Sequence, residues 1–420
     1  MGLGLVALAC LTGAALYLAG HPVHATSAPF TGIWLPHAGP GTPLALAVAA
    51  LVVLHGPRLA ARLSWRRLLL AAYGAAAAWI VSLALIDGWQ RGIAGRLITR
   101  DEYLSEVGGV TGVRVMLRGF SARILDFQPD SWTTHVSGHP PGAFLIFVGL
   151  DRIGLGGGVW AALTCVAIAA LAAVAVPVTV RALGDEEGAR AAVPFLVLFP
   201  GAVWMGVSAD GLFAGLTATG LALLAIGLTR RNVVAGLGAG LLLGFSLYCS
   251  YGFTLLAVLA LAVAVLARRA GPPLVAAVIG FGIVVAAFTL SGFWWLDGYQ
   301  KVTVRYYQGI ASVRPYAYWV WADLALAFAC AGPVSAVVLR RAFAGLRRTP
   351  VVVLPLAALL TIVAADLSGY SKAEVERIWL PFAVWLMAGA TLIPAPARRG
   401  WLAAQALLAL LVNHLLLTTW

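Results

Sequence analysis

Runs of roughly 20 apolar residues recur along this chain, each long enough to cross ~30 Å of hydrocarbon. Few folds can absorb that pattern. Hydrophobic residues make up 61% of the 420 residues and charged residues 10%, which excludes an ordinary soluble domain. The expectation is an all-α, polytopic transmembrane helical bundle in the cell membrane, with residues 1–420 as a single integral-membrane domain. Segmentation gives about thirteen spans, near 1–20, 44–54, 68–86, 156–180, 191–208, 211–229, 232–249, 252–268, 272–291, 317–339, 350–366, 379–393 and 401–418.

The net charge of +12 does not point to nucleic acid, because much of it comes from arginine pairs at span ends. Arg230/Arg231, Arg268/Arg269, Arg340/Arg341, Arg347/Arg348 and Arg398/Arg399 fall at alternate loops. They are all cytoplasmic only if the segment 140–154, PPGAFLIFVGLDRIG, stays out of the count. It is short for a span. We read it as a helix at the outer interface, with Pro140-Pro141 suited to its first turn. Cys10, Cys165, Cys249 and Cys330 are scattered through apolar segments and show neither metal nor disulfide spacing.

One long polar insert, 87–155, interrupts the apolar pattern. Lipid cannot satisfy its backbone, so it must lie in water or in a protein cavity. Its first part, 87–142, carries Asp87, Asp101, Glu102, Glu106, Asp126 and Asp130, six of the chain's 16 acidic residues, together with His135 and His139. The arginine alternation puts this insert on the extracytoplasmic side. The loops 292–316 and 366–378 come out on the same side and hold both lysines, Lys301 and Lys372, with Arg305, Tyr306, Arg314 and Arg377. An acidic, histidine-bearing insert facing two basic, aromatic-rich loops suits an anionic substrate at the outer membrane surface.

Several of these residues also have plain structural readings. Asp101 and Glu102 precede an apparent amphipathic helix (Leu104, Val107, Val110, Val113), where acids suit the helix dipole. His135 and His139 have metal-like spacing. Gly138, Pro140 and Pro141 argue against a helix there, so no metal site and no cofactor are expected. Asp210, flanked by apolar residues, suits either an ion pair or substrate contact.

The order of elements resembles the GT-C membrane glycosyltransferases, especially the polyprenyl-phosphate-sugar-using protein mannosyltransferase and aminoarabinose transferase group. The resemblance lies in a span ending in Asp87, the DE-Y of 101–103, HPPG at 139–142, and GDEEGARAAVPFLVLFPGAVWMGVSADGLFAGL with its Ser208-Ala209-Asp210. It covers about residues 70–230 and is looser beyond, at Glu374, Glu376 and Arg377. Two extra spans precede the acidic loop, HPPG stands for HPPL, and the usual single acidic position is split between Asp87 and the Asp101-Glu102 pair.

The resemblance implies a GT-C-like fold. It also implies transfer of a sugar from a polyprenyl-phosphate-linked donor to a glycan, lipid or protein acceptor in cell-envelope synthesis, inverting and metal-independent. A carboxylate would take the acceptor proton, with Asp87 as first choice and Glu102 and Asp101 as alternatives. His135, His139, Asp210, Arg305, Tyr306, Arg314, Lys372 and Arg377 become donor or substrate contacts, the cations facing the leaving phosphate. Membrane lipids are the remaining partner, and the spans would offer a groove to the lipid tail. Two other classes compete. A lipid-linked sugar transporter or flippase would show internal repeats, and none is clear. An envelope polymer ligase would share the donor class without needing the acid–HPPG order.

Overall fold

The computed structural model describes residues 2–418. The chain is an all-helical membrane bundle with one small two-stranded sheet. Among the described residues six helices are long and apolar enough to cross a bilayer: Thr42–Arg62, Trp65–Asp87, Gly158–Ala182, Ala209–Arg230, Pro272–Leu290 and Pro350–Leu367. Shorter apolar helices, Gly2–Leu18, Val233–Leu247, Tyr251–Ala267 and Leu380–Leu392, fill other expected spans.

Three expected elements come out differently, each for a local reason. The run 317–339 is two helices, Tyr316–Ala331 and Pro333–Ala344, bent by 104°. Gly332 makes the corner at φ +80°, and a β-carbon there would stand 1.9 Å from Gln405 Oε1. Gln405 bridges the break, donating to Ala331 O and accepting from Val334 N–H. The run 191–208 begins earlier, as Glu186–Val197, because the Asp185 carboxylate caps it by accepting from Gly188 N–H at 2.6 Å. It then stops before Phe199-Pro200-Gly201. The stretch 292–316 is largely a helix, Trp295–Gln308, with a polar face and an aromatic one.

Within the polar insert, the amphipathic helix expected from Leu104 ends at Val107. Gly108 and Gly109 break it, and Val113–Gly119 starts a second helix. A short helix, Thr134–Gly138, forms where glycine and proline argued against one. Pro140 ends it and leaves His139 extended. The helix Pro141–Arg152 has 12 residues. At 1.5 Å per residue it is about 18 Å long, too short to span.

One close helix contact has its own sequence signature. Gly236, Gly240 and Gly244 recur every four residues on Val233–Leu247 and face Pro272–Leu290. A β-carbon on Gly240 would stand 1.9 Å from Ala277 O, and one on Gly236 2.3 Å from Pro273 O. Such small-residue faces let transmembrane helices approach to backbone contact. The two strands, β1 (Gly32–Trp34) and β2 (Leu416–Thr418), pair antiparallel, Ile33 opposite Leu417.

Candidate functional site

Arg377 is the hub of the site. It lies on a short helix, Val375–Ile378, and is 6% exposed. Its Nη1 is 3.1 Å from Asp210 Oδ2 and donates to His135 Nε2 at 3.2 Å. Its Nη2 is 3.4 Å from Glu374 Oε2, an i,i+3 pair. Three segments far apart in sequence thus meet at one guanidinium: the polar insert, the start of Ala209–Arg230 and the 368–378 stretch. Burial works against its charge, but Asp210, then Glu374 and Glu102, outweigh it and raise its pKa.

Each partner is held by its own element. Ser208 caps Ala209–Arg230, its hydroxyl accepting from Gly211 N–H at 3.1 Å and donating to Trp204 O at 2.7 Å. That places Asp210 in the first helical turn, where the dipole favours a carboxylate. His135 donates from Nδ1 to Asp101 O at 2.8 Å, so Nε2 is left to accept from Arg377. Glu102 Oε1 lies 3.6 Å from the same Nδ1. The Asp101 carboxylate accepts from Thr134 Oγ1 at 3.2 Å. His139 Nδ1 is 2.8 Å from His135 O and 2.9 Å from the Tyr103 hydroxyl. Burial pulls the His139 imidazole down to about 4 and pushes Tyr103 well above its ordinary value, so both are neutral at physiological pH.

The remaining expected cations divide. Arg314 donates to Lys372 O at 2.8 Å and pairs with Glu374 Oε1 at 3.0 Å. Lys372 Nζ donates to Ala311 O and Arg314 O, and its backbone N–H donates to the Tyr306 hydroxyl at 2.7 Å. These three residues brace the loop that carries Arg377. The bracing holds strain, because Ala373 and Glu374 sit at φ 68° and 63°. Left-handed conformations at residues other than glycine cost of order 1–3 kcal/mol each. Asp323, 1% exposed, also fixes the loop by accepting from Ala373 N–H at 3.1 Å. Arg305 stands apart, paired with Asp126 at 2.5 Å.

Asp87 occupies a neighbouring pocket of charge. His37 Nε2 is 2.9 Å from Asp87 Oδ1, and His37 Nδ1 is 2.7 Å from Leu35 O. Both ring nitrogens of His37 thus face oxygen acceptors. Arg96 lies within electrostatic reach of Asp87, Glu102 and Arg377. Sequence reasoning missed Arg96, Tyr103, His37 and Asp323. Only Tyr103 stood inside a quoted motif; the others are single polar residues in unremarkable surroundings. A cavity of about 200 Å³ opens beside the site, lined by Ile98, Leu104, Val107, Phe147, Leu150 and Asp151 among others. Phe147 stacks on Tyr103 at 5.1 Å between centroids. Among the described residues no group of three or more His, Cys, Asp or Glu side chains is arranged to hold a metal ion.

No family model and no curated protein matches the chain. Solved structures do. The chain is similar to the Archaeoglobus fulgidus oligosaccharyltransferase in complex with Zn and sulfate. The identity is 13% and the TM-score 0.48, over 83% of this chain and 53% of that one. It is also similar to the same enzyme tethered by a disulfide bond to an acceptor peptide containing the NVT sequon. There the identity is 13% and the TM-score 0.43, over 77% and 49%. The chain spans about half the length of the solved structures it matches.

Proposed function

We propose that this protein is a GT-C-type membrane glycosyltransferase. It moves a sugar from a polyprenyl-phosphate-linked donor to an acceptor hydroxyl on the extracytoplasmic side, in cell-envelope glycan, glycolipid or glycoprotein synthesis. One observation carries the reading. A buried guanidinium and a carboxylate that accepts no hydrogen bond among the described residues stand in one site, joined through His135. Arg377 supplies charge where a leaving phosphate develops its own, and transfer needs no metal for that role. Asp210 and Glu374 hold the guanidinium in orientation.

The geometry favours Glu102 over Asp87 as the base. Asp87 is engaged by His37 and Asp101 by Thr134, whereas the Glu102 carboxylate accepts no hydrogen bond among the described residues. In the reaction Glu102 takes the acceptor hydroxyl proton as oxygen attacks the anomeric carbon from the side opposite the phosphate. The bond to the phosphate oxygen breaks, and lipid phosphate leaves with the electron pair. The anomeric configuration inverts.

The test is turnover by purified protein in nanodiscs, supplied with polyprenyl-phosphate sugars and read as released polyprenyl phosphate. Glu102→Gln should lower turnover by ~10²–10⁴-fold, the usual weight of a general base. Asp87→Asn should lower it less. Arg377→Lys should also be impaired, because an ammonium lacks the planar fork. Normal turnover in both Glu102→Gln and Asp87→Asn would sink the mechanism.

A further inference from the structure

Tyr103 and His139 hold hydrogen-bonding capacity that the protein itself does not use. His139 Nδ1 lies 2.8 Å from His135 O. A carbonyl oxygen only accepts, so Nδ1 carries the ring proton and donates it. The Tyr103 oxygen is 2.9 Å from the same Nδ1 and therefore shares that proton as an acceptor. Its own O–H is left to turn elsewhere, and among the described residues no other polar atom bonds the hydroxyl. Burial, and after it the charges of Asp210 and Glu102, keep the proton on the phenol.

The second nitrogen of His139 is the counterpart. Burial keeps the ring neutral, so with the proton on Nδ1 the Nε2 lone pair is there to accept. Among the described residues no donor bonds Nε2. The residue is partly exposed, and Phe213, 5.8 Å away between ring centroids, has no polar atom to offer it. Both side chains are held in place. Phe147 stacks on the Tyr103 ring, and Pro140 keeps His139 extended beyond its helix.

One O–H to give and one lone pair to fill thus stand on two side chains joined by a hydrogen bond. Their complement is a group that accepts and donates at once. An ionised phosphate oxygen has no proton for Nε2, and an ammonium has no lone pair for the phenol. A hydroxyl has both. The position narrows the choice further. Tyr103 follows Glu102 in sequence and lies within electrostatic reach of Arg377. Between a base for the acceptor proton and a cation for the leaving phosphate stands the sugar ring of the donor.

We propose that Tyr103 and His139 determine which sugar the protein accepts, Tyr103 donating to a hydroxyl of the donor sugar and His139 Nε2 accepting from that hydroxyl or its neighbour on the ring. The proposal rests on the glycosyltransferase reading, and it assigns to Tyr103 a contact with the substrate rather than a structural one.

The experiment reads donor binding without acceptor, apart from turnover. The intact chain in nanodiscs of zwitterionic lipid is titrated with short-chain polyprenyl-phosphate esters of hexoses and pentoses. Monodeoxy analogues of the tightest-binding sugar follow, one for each ring position. One analogue should bind roughly 5- to 100-fold more weakly than the full sugar, because its missing hydroxyl leaves a buried donor and an acceptor unpaired. Tyr103→Phe should erase most of that ratio, by weakening the full sugar and leaving the analogue as it was. His139→Asn should do the same, since its amide still donates to His135 O but nothing replaces Nε2.

A parent protein that binds every deoxy analogue within about twofold of the full sugar overturns the proposal and leaves the pair to water. A ratio that persists in both Tyr103→Phe and His139→Asn also overturns it, whatever the variants' melting temperatures, and makes the two residues structural. Binding and transfer of a sugar without these signatures leaves the transferase reading standing. Binding of no member of the panel overturns that reading, and this proposal with it.

Discussion

At the scale of single residues, the site is defined by which charges are engaged. Arg377 and Asp210 form a buried pair, with Glu374 closing on the same guanidinium from a partly exposed position, and breaking such a buried pair by removing one partner costs roughly 3–5 kcal/mol. Glu376, adjacent in sequence, is the contrasting case. It is fully buried, and neither of its carboxylate oxygens has a hydrogen-bond partner among the described residues. Burial pushes its pKa up from 4.5 to about 8. The folded protein therefore holds a proton that the unfolded chain releases. Its stabilising contribution is complete below pH 4.5, declines as the pH rises and is lost once the pH passes 8. Glu376→Gln should flatten the fall in melting temperature between those two values, measured in detergent across the range. A slope as steep as in the parent protein would mean that Glu376 is ionised in the folded state.

Helix contacts and helix breaks decide where those residues stand. The break at Gly332 turns the chain by 104° and returns it beside Gln405, while the loop 368–374 is strained at two consecutive residues to aim Arg377 inward. The contact between Val233–Leu247 and Pro272–Leu290 depends on glycine for a different reason, the absence of any atom at the β position. Gly240→Leu would place a side chain where Ala277 O now lies 1.9 Å from an ideal β-carbon, so the two helices must move apart. The expected loss is roughly 1–3 kcal/mol, the usual cost of overpacking, seen as a lower melting temperature. Gly282→Leu, on a residue with open space around it, should leave stability near that of the parent. Equal stability in the two variants would show that this face is not closely packed.

For the molecule as a whole, the consequence is convergence. His135 from the polar insert and Asp210 from the head of a long helix both lie within hydrogen-bonding or ion-pair distance of Arg377 from the 368–378 stretch. All three segments must then open to the same side of the membrane. Cysteines introduced at Ser105, Ser312 and Ser371 should label from outside with a membrane-impermeant reagent, and one at Ala344 should not. Ser105 and Ser371 labelling from opposite faces would overturn both the arginine-pair topology and the single site.

The apolar runs and the near-absence of charge determined the helical membrane class by themselves, because a backbone in lipid has to satisfy its own hydrogen bonds. Charge pattern also drew attention to Asp87, Glu102, His135, Arg305, Arg314, Lys372 and Arg377 in polar stretches expected on one side, and to Asp210 among apolar neighbours. Only the tertiary structure decided which of them meet. It joined His135 and Asp210 to Arg377 and turned Arg314 and Lys372 into braces. It sent Arg305 to Asp126 and Asp87 to His37, and it brought Arg91 and Arg96 onto Thr418. A sequence shows that a charge is present. Whether that charge is engaged or available depends on partners 50 to 327 positions away, which only the packing of the helices selects.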